Sequence, residues 1–158
     1  FVDSDKKVLL APAANSIAEG PADSFWCRLA GELKRLGYEV YTNAVDGEEP
    51  VEGTKSVFIP YKKLASFLDK NTIFIGYRSG LCDLAASLEC KKIIIYPNSS
   101  WPLHDGLGIG STLDIFSLNK MGICEDAMEI EYSAADEGDI LSEILNRIRL
   151  EKTLDKET

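Results

Sequence analysis

Apolar residues follow two alternating patterns along this chain. Some form short continuous runs, such as Val8–Leu10 and Ile73–Ile75, which is typical of strands that are covered on both faces of a sheet. Between these runs, apolar residues recur at helical spacing, which places them on one side of a helix. The first such series is Phe25, Leu29, Leu33 and Leu36. This alternation predicts an α/β domain.

Turn residues and changes of period set the limits of the predicted elements. We expect strands at Lys7–Pro12, Tyr38–Thr42, Ser56–Ile59, Ile73–Ile75, Lys92–Tyr96 and Ala127–Tyr132. We expect helices capped by Asp23 or Ser24 and closed by Gly37, at Tyr61–Lys70, from Ser79, from Ser111 to Leu118, and at Asp136–Lys152. Residues 97–110 are expected to be loop. One domain would span residues 1–152, followed by a frayed tail at 153–158.

These elements predict a Rossmann-like, doubly wound parallel sheet of about six strands in three layers. Right-handed crossovers favour the strand order 3-2-1-4-5-6. In that order strands 1 and 4 are neighbours, and ligands bind in the crevice between such strands. The loops that leave these two strands, 13–21 and 77–80, contain glycine and small polar residues. We therefore expect the functional site at this crevice.

Composition and charge narrow the possible partners. At 158 residues, 45% of them hydrophobic, the chain is large enough for one full core. Its net charge of −9 argues against nucleic acid or an anionic membrane surface as the main partner. No apolar run approaches the roughly 20 residues of a transmembrane helix, and a secretory signal is absent. The four cysteines form no C-x-x-C pair and are interpreted as reduced thiols of a cytoplasmic protein.

The segment that joins strand 4 to the next helix carries the most distinctive chemistry. Arg78, Ser79 and Gly80 stand where the buried strand gives way to the helix. Ser79 is placed to cap that helix, and amides, helix dipole and guanidinium together suit a phosphate. The alternative is that Ser79 and Gly80 only start a helix. The predicted buried stripe of the helix consists of Leu81, Leu84, Ala85 and Leu88.

Other kinds of site fit the sequence poorly. A nucleophile elbow needs Gly-x-Ser-x-Gly, whereas residues 76–80 have the spacing Gly-x-x-Ser-Gly. The first strand is not followed by Gly-x-Gly-x-x-Gly, and a P-loop lysine is missing. No carboxylate cluster suggests a metal site. The single histidine, His104, is interpreted as a loop residue rather than a general base.

Four segments, correct in order and spacing, resemble one enzyme family. They are Phe25–Leu33, which begins with a Phe-Trp pair, Pro60–Leu64, Gly76–Ala86 and Tyr96–Asn98. The third is similar to the family hallmark Gly-x-Asp-[Ser/Thr]-Gly-x-x-His-x-Ala-Ala. Together they resemble the C-terminal, nucleotide-sugar-binding half of a GT-B glycosyltransferase, and most of all the ADP-heptose:lipopolysaccharide heptosyltransferase family. The likeness covers residues 7–102.

The resemblance implies a metal-independent transfer of a sugar from a nucleoside-diphosphate sugar to a cell-surface glycan or lipopolysaccharide-type acceptor, without a cofactor. It also implies an N-terminal acceptor domain that this chain lacks, so the chain is expected to be inactive alone and part of a longer bacterial protein. Peripheral membrane association would then come from the missing half. Two competing interpretations are a non-catalytic nucleotide-sensing module and a GT-B-like sugar epimerase.

The resemblance and the predicted crevice together nominate the site residues. They are Ala14, Asn15, Ser16, Thr42, Pro60, Tyr61, Arg78, Ser79, Gly80, Leu81 and Asp83. The nucleoside is expected toward Thr42 and Tyr61. Arg78 replaces the family's aspartate and would stabilise the leaving phosphate; its alternative role is a surface ion pair.

Two further residues near this segment have open roles. Asp83 replaces the family's histidine. It either accepts hydroxyls of a donor sugar or only complements the dipole of the helix. Trp101 is either a lid over the base or part of the loop packing.

Overall fold

The computed structural model of the chain describes residues 6–12, 20–44, 47–102 and 108–157, with side chains described as far as residue 154. Its strands are β1 (Lys7–Ala11), β2 (Glu39–Asn43), β3 (Lys55–Val57), β4 (Thr72–Tyr77), β5 (Lys91–Tyr96), β6 (Ser100–Pro102), β7 (Ile109–Ser111) and β8 (Met128–Glu131). Its α-helices are α1 (Asp23–Arg35), α2 (Tyr61–Phe67), α3 (Gly80–Ala86), α4 (Thr112–Phe116) and α5 (Glu137–Glu157).

Six of these strands form one parallel sheet in the order β3-β2-β1-β4-β5-β8. The predicted Rossmann-like, doubly wound fold is therefore confirmed, with β8 as the predicted sixth strand. β1 lies directly beside β4, and Ala11 is in register with Gly76 at their carboxyl ends. The predicted switch point between the first and fourth strands is thus present in the fold, and we call the region at these two strand ends the β1/β4 crevice.

Alternate residues of the central strands point into two separate cores. On one face, Val8 and Ile75 pack with α1 and α5. On the other, Leu9 and Phe74 pack with α2, α3 and the segment before β8. The continuous apolar runs arise because both faces of the sheet are covered.

Several element limits differ from those predicted. The cap of α1 is Ala22, and its side chain makes no capping bond, so the expectation of Asp23 or Ser24 as cap was wrong. Asp23 is the first helical residue instead, where its charge complements the helix dipole. Gly37 does close α1, with a φ of 92°. α5 continues to Glu157, through most of the tail that we expected to fray.

The stretch after β5 also differs from the prediction. We expected loop over 97–110, but β6 and β7 form an antiparallel hairpin in which Trp101 pairs with Gly110. The signal was weak because each strand has only three residues. The predicted cap at Ser111 is confirmed, since its side chain accepts a hydrogen bond from the amide of Asp114 at 3.0 Å.

Two further features concern membrane-spanning helices and the cysteines. Within the described ranges, no helix is both long and apolar enough to cross a membrane. Cys27, Cys82, Cys90 and Cys124 are free thiols.

Candidate functional site

The two nominated loops leave the carboxyl ends of β1 and β4, which lie side by side at one edge of the sheet. Ala14, Asn15 and Ser16, nominated from the first loop, lie outside the described residues, as does His104. The end of that loop returns to β4, because Gly20 lies against the ring of Tyr77. A Cβ added at Gly20 would be 3.3 Å from Cε2 of that ring. Arg78 and Ser79 follow directly from β4.

Ser79 occupies the N-cap position of α3, as predicted, but it does not act as a cap. Its backbone is extended, with a φ of −160°, and its side chain makes no capping hydrogen bond. The hydroxyl lies 3.8 Å from the thiol of Cys82 instead. The capping role assigned to Ser79 was therefore wrong, although the position was right. α3 is also short, at seven residues, so its dipole is small.

The buried face of α3 matches the predicted stripe only in part. Ala85 is buried, and Leu81 and Leu88 are partly buried against the second core, as predicted, but Leu84 is 40% exposed. Cys82 and Ala86 are buried as well. The reason is the close approach of α3 to β4. A Cβ added at Gly76 would lie 2.6 Å from the ring of Phe74 and 3.1 Å from the sulfur of Cys82. Small residues on both elements allow this contact, and bulky leucines would not fit there.

Arg78 is a buried cation that is held at several points. Only 8% of the residue is exposed. Its Nη1 and Nη2 donate to the two carboxylate oxygens of Asp83, each at 3.0 Å. Its Nη1 also donates to the carbonyl of Ser79 at 2.8 Å, and Nε donates to the carbonyl of Phe116 at 3.2 Å. The guanidinium is therefore fixed at the carboxyl end of β4.

The surroundings keep Arg78 charged. Burial acts to lower its pKa, but the hydrogen bonds and negative charge of Asp83 outweigh burial and raise the pKa above its ordinary value. The sequence left two roles open for Arg78, a phosphate contact and a surface ion pair. The structure contains an ion pair, with Asp83, but it is not a surface pair, because the arginine side chain is only 9% exposed while that of Asp83 is 41% exposed.

A polar cluster that the sequence did not reveal supports this arginine. The Tyr96 hydroxyl donates to Glu129, and Ser117 Oγ donates to the same carboxylate at 2.5 Å. The amide of Leu118 donates to Glu129 at 2.9 Å. These bonds fix the chain directly after Phe116, whose carbonyl holds Arg78. Burial, followed by the bond to Glu129, raises the pKa of Tyr96 far above its ordinary value.

Trp101 of β6 and Phe116 at the end of α4 form an aromatic pair, and the carbonyl of Phe116 contacts the same arginine. The rings of Trp101 and Phe116 are 5.9 Å apart, with their planes inclined at 75°. The indole Nε1 of Trp101 donates to Thr112 Oγ1 at 2.8 Å. Trp101 is thus positioned by hydrogen bonding and by aromatic packing.

The remaining nominated residues are distributed along the same edge. Thr42 is 1% exposed, and its hydroxyl accepts from the amide of Val51 at 3.2 Å and pairs with the hydroxyl of Thr54 at 2.6 Å. It therefore shapes the 47–54 loop. Pro60 is the N-cap residue and Tyr61 the first residue of α2, which follows β3. β3 is three positions from β4 in the sheet. Tyr61 is 73% exposed.

Gly80 and Leu81 complete the nominated set at the start of α3. Leu81 is half-buried and packs against the second core. A Cβ added at Gly80 would meet no atom within 4 Å. Gly80 is exposed, and the space beside it is open.

The described part of the chain holds no group of three or more histidine, cysteine, aspartate or glutamate side chains arranged to bind a metal ion. At the carboxyl end of β4, the buried guanidinium of Arg78 has Asp83 as its counter-ion. Comparisons with protein-family models, curated proteins and solved structures gave no significant match to this chain.

Proposed function

We propose that this chain binds the diphosphate of a nucleoside-diphosphate sugar at the β1/β4 crevice, as the donor-binding half of a glycosyltransferase. The single observation that carries the proposal is the position of Arg78, a buried cation at the carboxyl end of β4, beside β1. Doubly wound sheets bind ligands at this place. The resemblance of residues 76–86 to the heptosyltransferase hallmark supports the same assignment and suggests a cell-surface glycan or lipopolysaccharide-type acceptor.

The charge of the whole chain strengthens the argument for Arg78. A protein with a net charge of −9 repels anions unless a local cation is supplied. Arg78 supplies one that stays charged and is already oriented by the carbonyls of Ser79 and Phe116. A planar guanidinium can donate hydrogen bonds to two oxygens of one phosphate at once. This geometry favours a phosphorylated ligand.

A phosphate can bind Arg78 only in competition with Asp83. Its carboxylate now accepts from both terminal nitrogens of Arg78. A phosphate that uses the same fork has to take over at least one of these bonds. Asp83 is partly exposed, so it can turn toward water at modest cost. The ligand and Asp83 therefore compete for Arg78.

In the proposed transfer, Arg78 acts on the leaving group. Negative charge builds on the diphosphate as the bond to the sugar breaks, and a fixed cation stabilises that charge without reorganisation. The backbone amide of Gly80, an exposed residue at the start of α3, would add a hydrogen-bond donor. This requires no bound metal ion, because the charge is met by the arginine.

A thermal-shift panel tests the proposal. Nucleoside diphosphates at about one hundred times their Kd should stabilise the chain by about 2.7 kcal/mol, which corresponds to a rise in Tm of about 5–10 °C for a domain of this size. The parent nucleosides should have much smaller effects. Sodium sulfate at equal ionic strength is the control for a general anion effect. If no nucleoside diphosphate raises Tm beyond that control, the proposed function is wrong.

A further inference from the structure

Trp101 combines a fixed orientation with an exposed ring. Its indole nitrogen donates to Thr112 Oγ1, and Thr112 is itself 1% exposed and pairs with Ser99 Oγ at 2.7 Å. The polar atom of the indole is thus satisfied inside the protein. Nevertheless 43% of Trp101 remains exposed. What reaches solvent is apolar ring surface held in place, which is suited to packing against another ring.

Phe116 connects this ring to the phosphate site. The planes of Trp101 and Phe116 are inclined at 75°, so the phenyl ring is not stacked on the indole and does not cover both of its faces. The carbonyl of the same Phe116 accepts from Nε of Arg78. One residue therefore contacts both the proposed phosphate-binding cation and the exposed indole, which places the two close together.

The strand order places the exposed ring of Trp101 on the β5 side of the β1/β4 crevice. β5, from which the Trp101 hairpin leaves, is next to β4 on one side, whereas β1, β2 and β3 lie on the other. Tyr61, the exposed aromatic residue nominated for the nucleoside, follows β3. If a diphosphate at Arg78 has its nucleoside toward Tyr61, the β5 side is the side left for its other substituent, the sugar.

We propose, resting on the proposed function above, that Trp101 forms the subsite for the sugar ring of the donor. The C–H face of a pyranose is apolar and slightly positive, so it packs well on the negative face of an indole. Asp83 is the ion-pair partner of Arg78, and its partly exposed carboxylate retains capacity to accept hydrogen bonds from sugar hydroxyls. The subsite thus combines an aromatic face with an acceptor.

Tryptophan fluorescence and calorimetry test this subsite. The chain has two tryptophans, and Trp26 is 1% exposed, so ligand-induced changes in emission report mainly on Trp101. Three matched pairs would be titrated: UDP with UDP-glucose, ADP with ADP-glucose and GDP with GDP-mannose. For the pair that binds, the measured quantity is the ratio of the Kd of the nucleoside diphosphate to that of its sugar.

We expect Trp101→Ala to lower this ratio about three- to tenfold, the scale of one aromatic packing contact, and to leave the Kd of the nucleoside diphosphate within about twofold. Trp101→Phe should recover most of the loss. Tyr61→Ala is the matched control, since it also removes an exposed aromatic residue from this edge, and it should weaken both members of a pair equally. Circular dichroism and Tm would establish that each variant is folded.

Each other outcome has a distinct meaning. Equal weakening of the nucleoside diphosphate and its sugar by Trp101→Ala would show that the indole contacts the base, which overturns the sugar subsite alone. If Trp101→Ala leaves the ratio of the two Kd values unchanged, Trp101 serves only in packing, and the sugar subsite is likewise overturned. Absence of binding by every nucleoside diphosphate would overturn the proposed function, and the subsite with it.

Discussion

Arg78 and Asp83 form a two-point ion pair across the turn that joins β4 to α3. Both terminal nitrogens of the arginine donate to the carboxylate, each at 3.0 Å. The pair is asymmetric, because the arginine side chain is 9% exposed and the aspartate side chain is 41% exposed. The carboxylate therefore occupies the fork that a phosphate would use, while keeping contact with solvent.

The first prediction concerns this competition. Asp83→Asn removes the charge that competes for the guanidinium, so a nucleoside diphosphate should bind about two- to fivefold more tightly, in line with the strength of a partly exposed ion pair. The same change should lower the free energy of unfolding by about 1 kcal/mol. Calorimetry and urea unfolding measure the two effects. Weaker binding of the nucleoside diphosphate would show that Asp83 does not compete with the ligand.

The second prediction compares two serines at helix starts. Ser111 caps α4 by accepting from the amide of Asp114, so Ser111→Ala should cost about 1 kcal/mol of unfolding free energy. Ser79 makes no such bond at the start of α3, so Ser79→Ala should change it by less than about 0.5 kcal/mol. Urea unfolding of both variants checks this. A larger loss for Ser79→Ala than for Ser111→Ala would contradict the assignment.

The third prediction compares two glycines that flank the same turn. An alanine Cβ at Gly76 would lie 2.6 Å from the Phe74 ring, so Gly76→Ala should destabilise the protein by about 1–3 kcal/mol. At Gly80 the space is open, so Gly80→Ala should leave stability almost unchanged.

Because Gly80→Ala is expected to leave stability unchanged, its effect has to be sought in nucleoside-diphosphate binding. If a phosphate approaches the amide of Gly80, the added methyl group of Gly80→Ala should weaken nucleoside-diphosphate binding. Unfolding and titration of both variants give the answer. Full binding by Gly80→Ala would remove this amide from the site.

The fourth prediction concerns pH. Burial raises the pKa of the Cys82 thiol from 9.0 to about 11. As pH rises above 9, the unfolded chain loses this proton first, so the free energy of unfolding should fall between pH 9 and pH 11, by about 2–3 kcal/mol for this group. Burial raises the pKa of Cys90 to about 11 as well, and it acts in the same direction. In Cys82→Ala the decline should be shallower. Identical slopes in wild type and variant would contradict the effect.

The strand order could be predicted from sequence because it depends on features that are visible locally. Continuous apolar runs such as Ile73–Ile75 mark strands that are buried on both faces, and right-handed crossovers leave few possible orders. The position of Arg78 at the carboxyl end of β4 follows from that order. The β6–β7 hairpin could not be predicted in the same way, because strands of three residues carry almost no periodicity.

The contacts of the site depend on residues that are distant in sequence. Phe116, whose carbonyl holds Arg78, is 38 residues away, and Glu129 is 33 residues from Tyr96. Nothing in the local pattern of either segment indicates its partner. Ser79 shows the opposite failure, because the local pattern of a cap was present but the hydroxyl turned toward Cys82.

The central claim is that Arg78 contacts the phosphates of a nucleotide ligand. The most direct test is titration calorimetry at fixed low salt, comparing a nucleoside with its diphosphate on wild type, Arg78→Ala, Arg78→Lys and Arg35→Ala. Arg35 is the matched control, because it also forms an ion pair, with Glu32, but at the far end of α1. Tm values for all four proteins establish that each is folded at the titration temperature.

We predict that Arg78→Ala weakens binding of the diphosphate by about 1.5–3 kcal/mol, the range for hydrogen bonds to charged groups. Arg78→Lys should recover only part of this, since a point charge cannot reproduce the planar fork. Binding of the nucleoside should be almost unaffected, and Arg35→Ala should behave as wild type. Equal losses for nucleoside and diphosphate, or no loss for either, would contradict the claim that Arg78 is a phosphate contact.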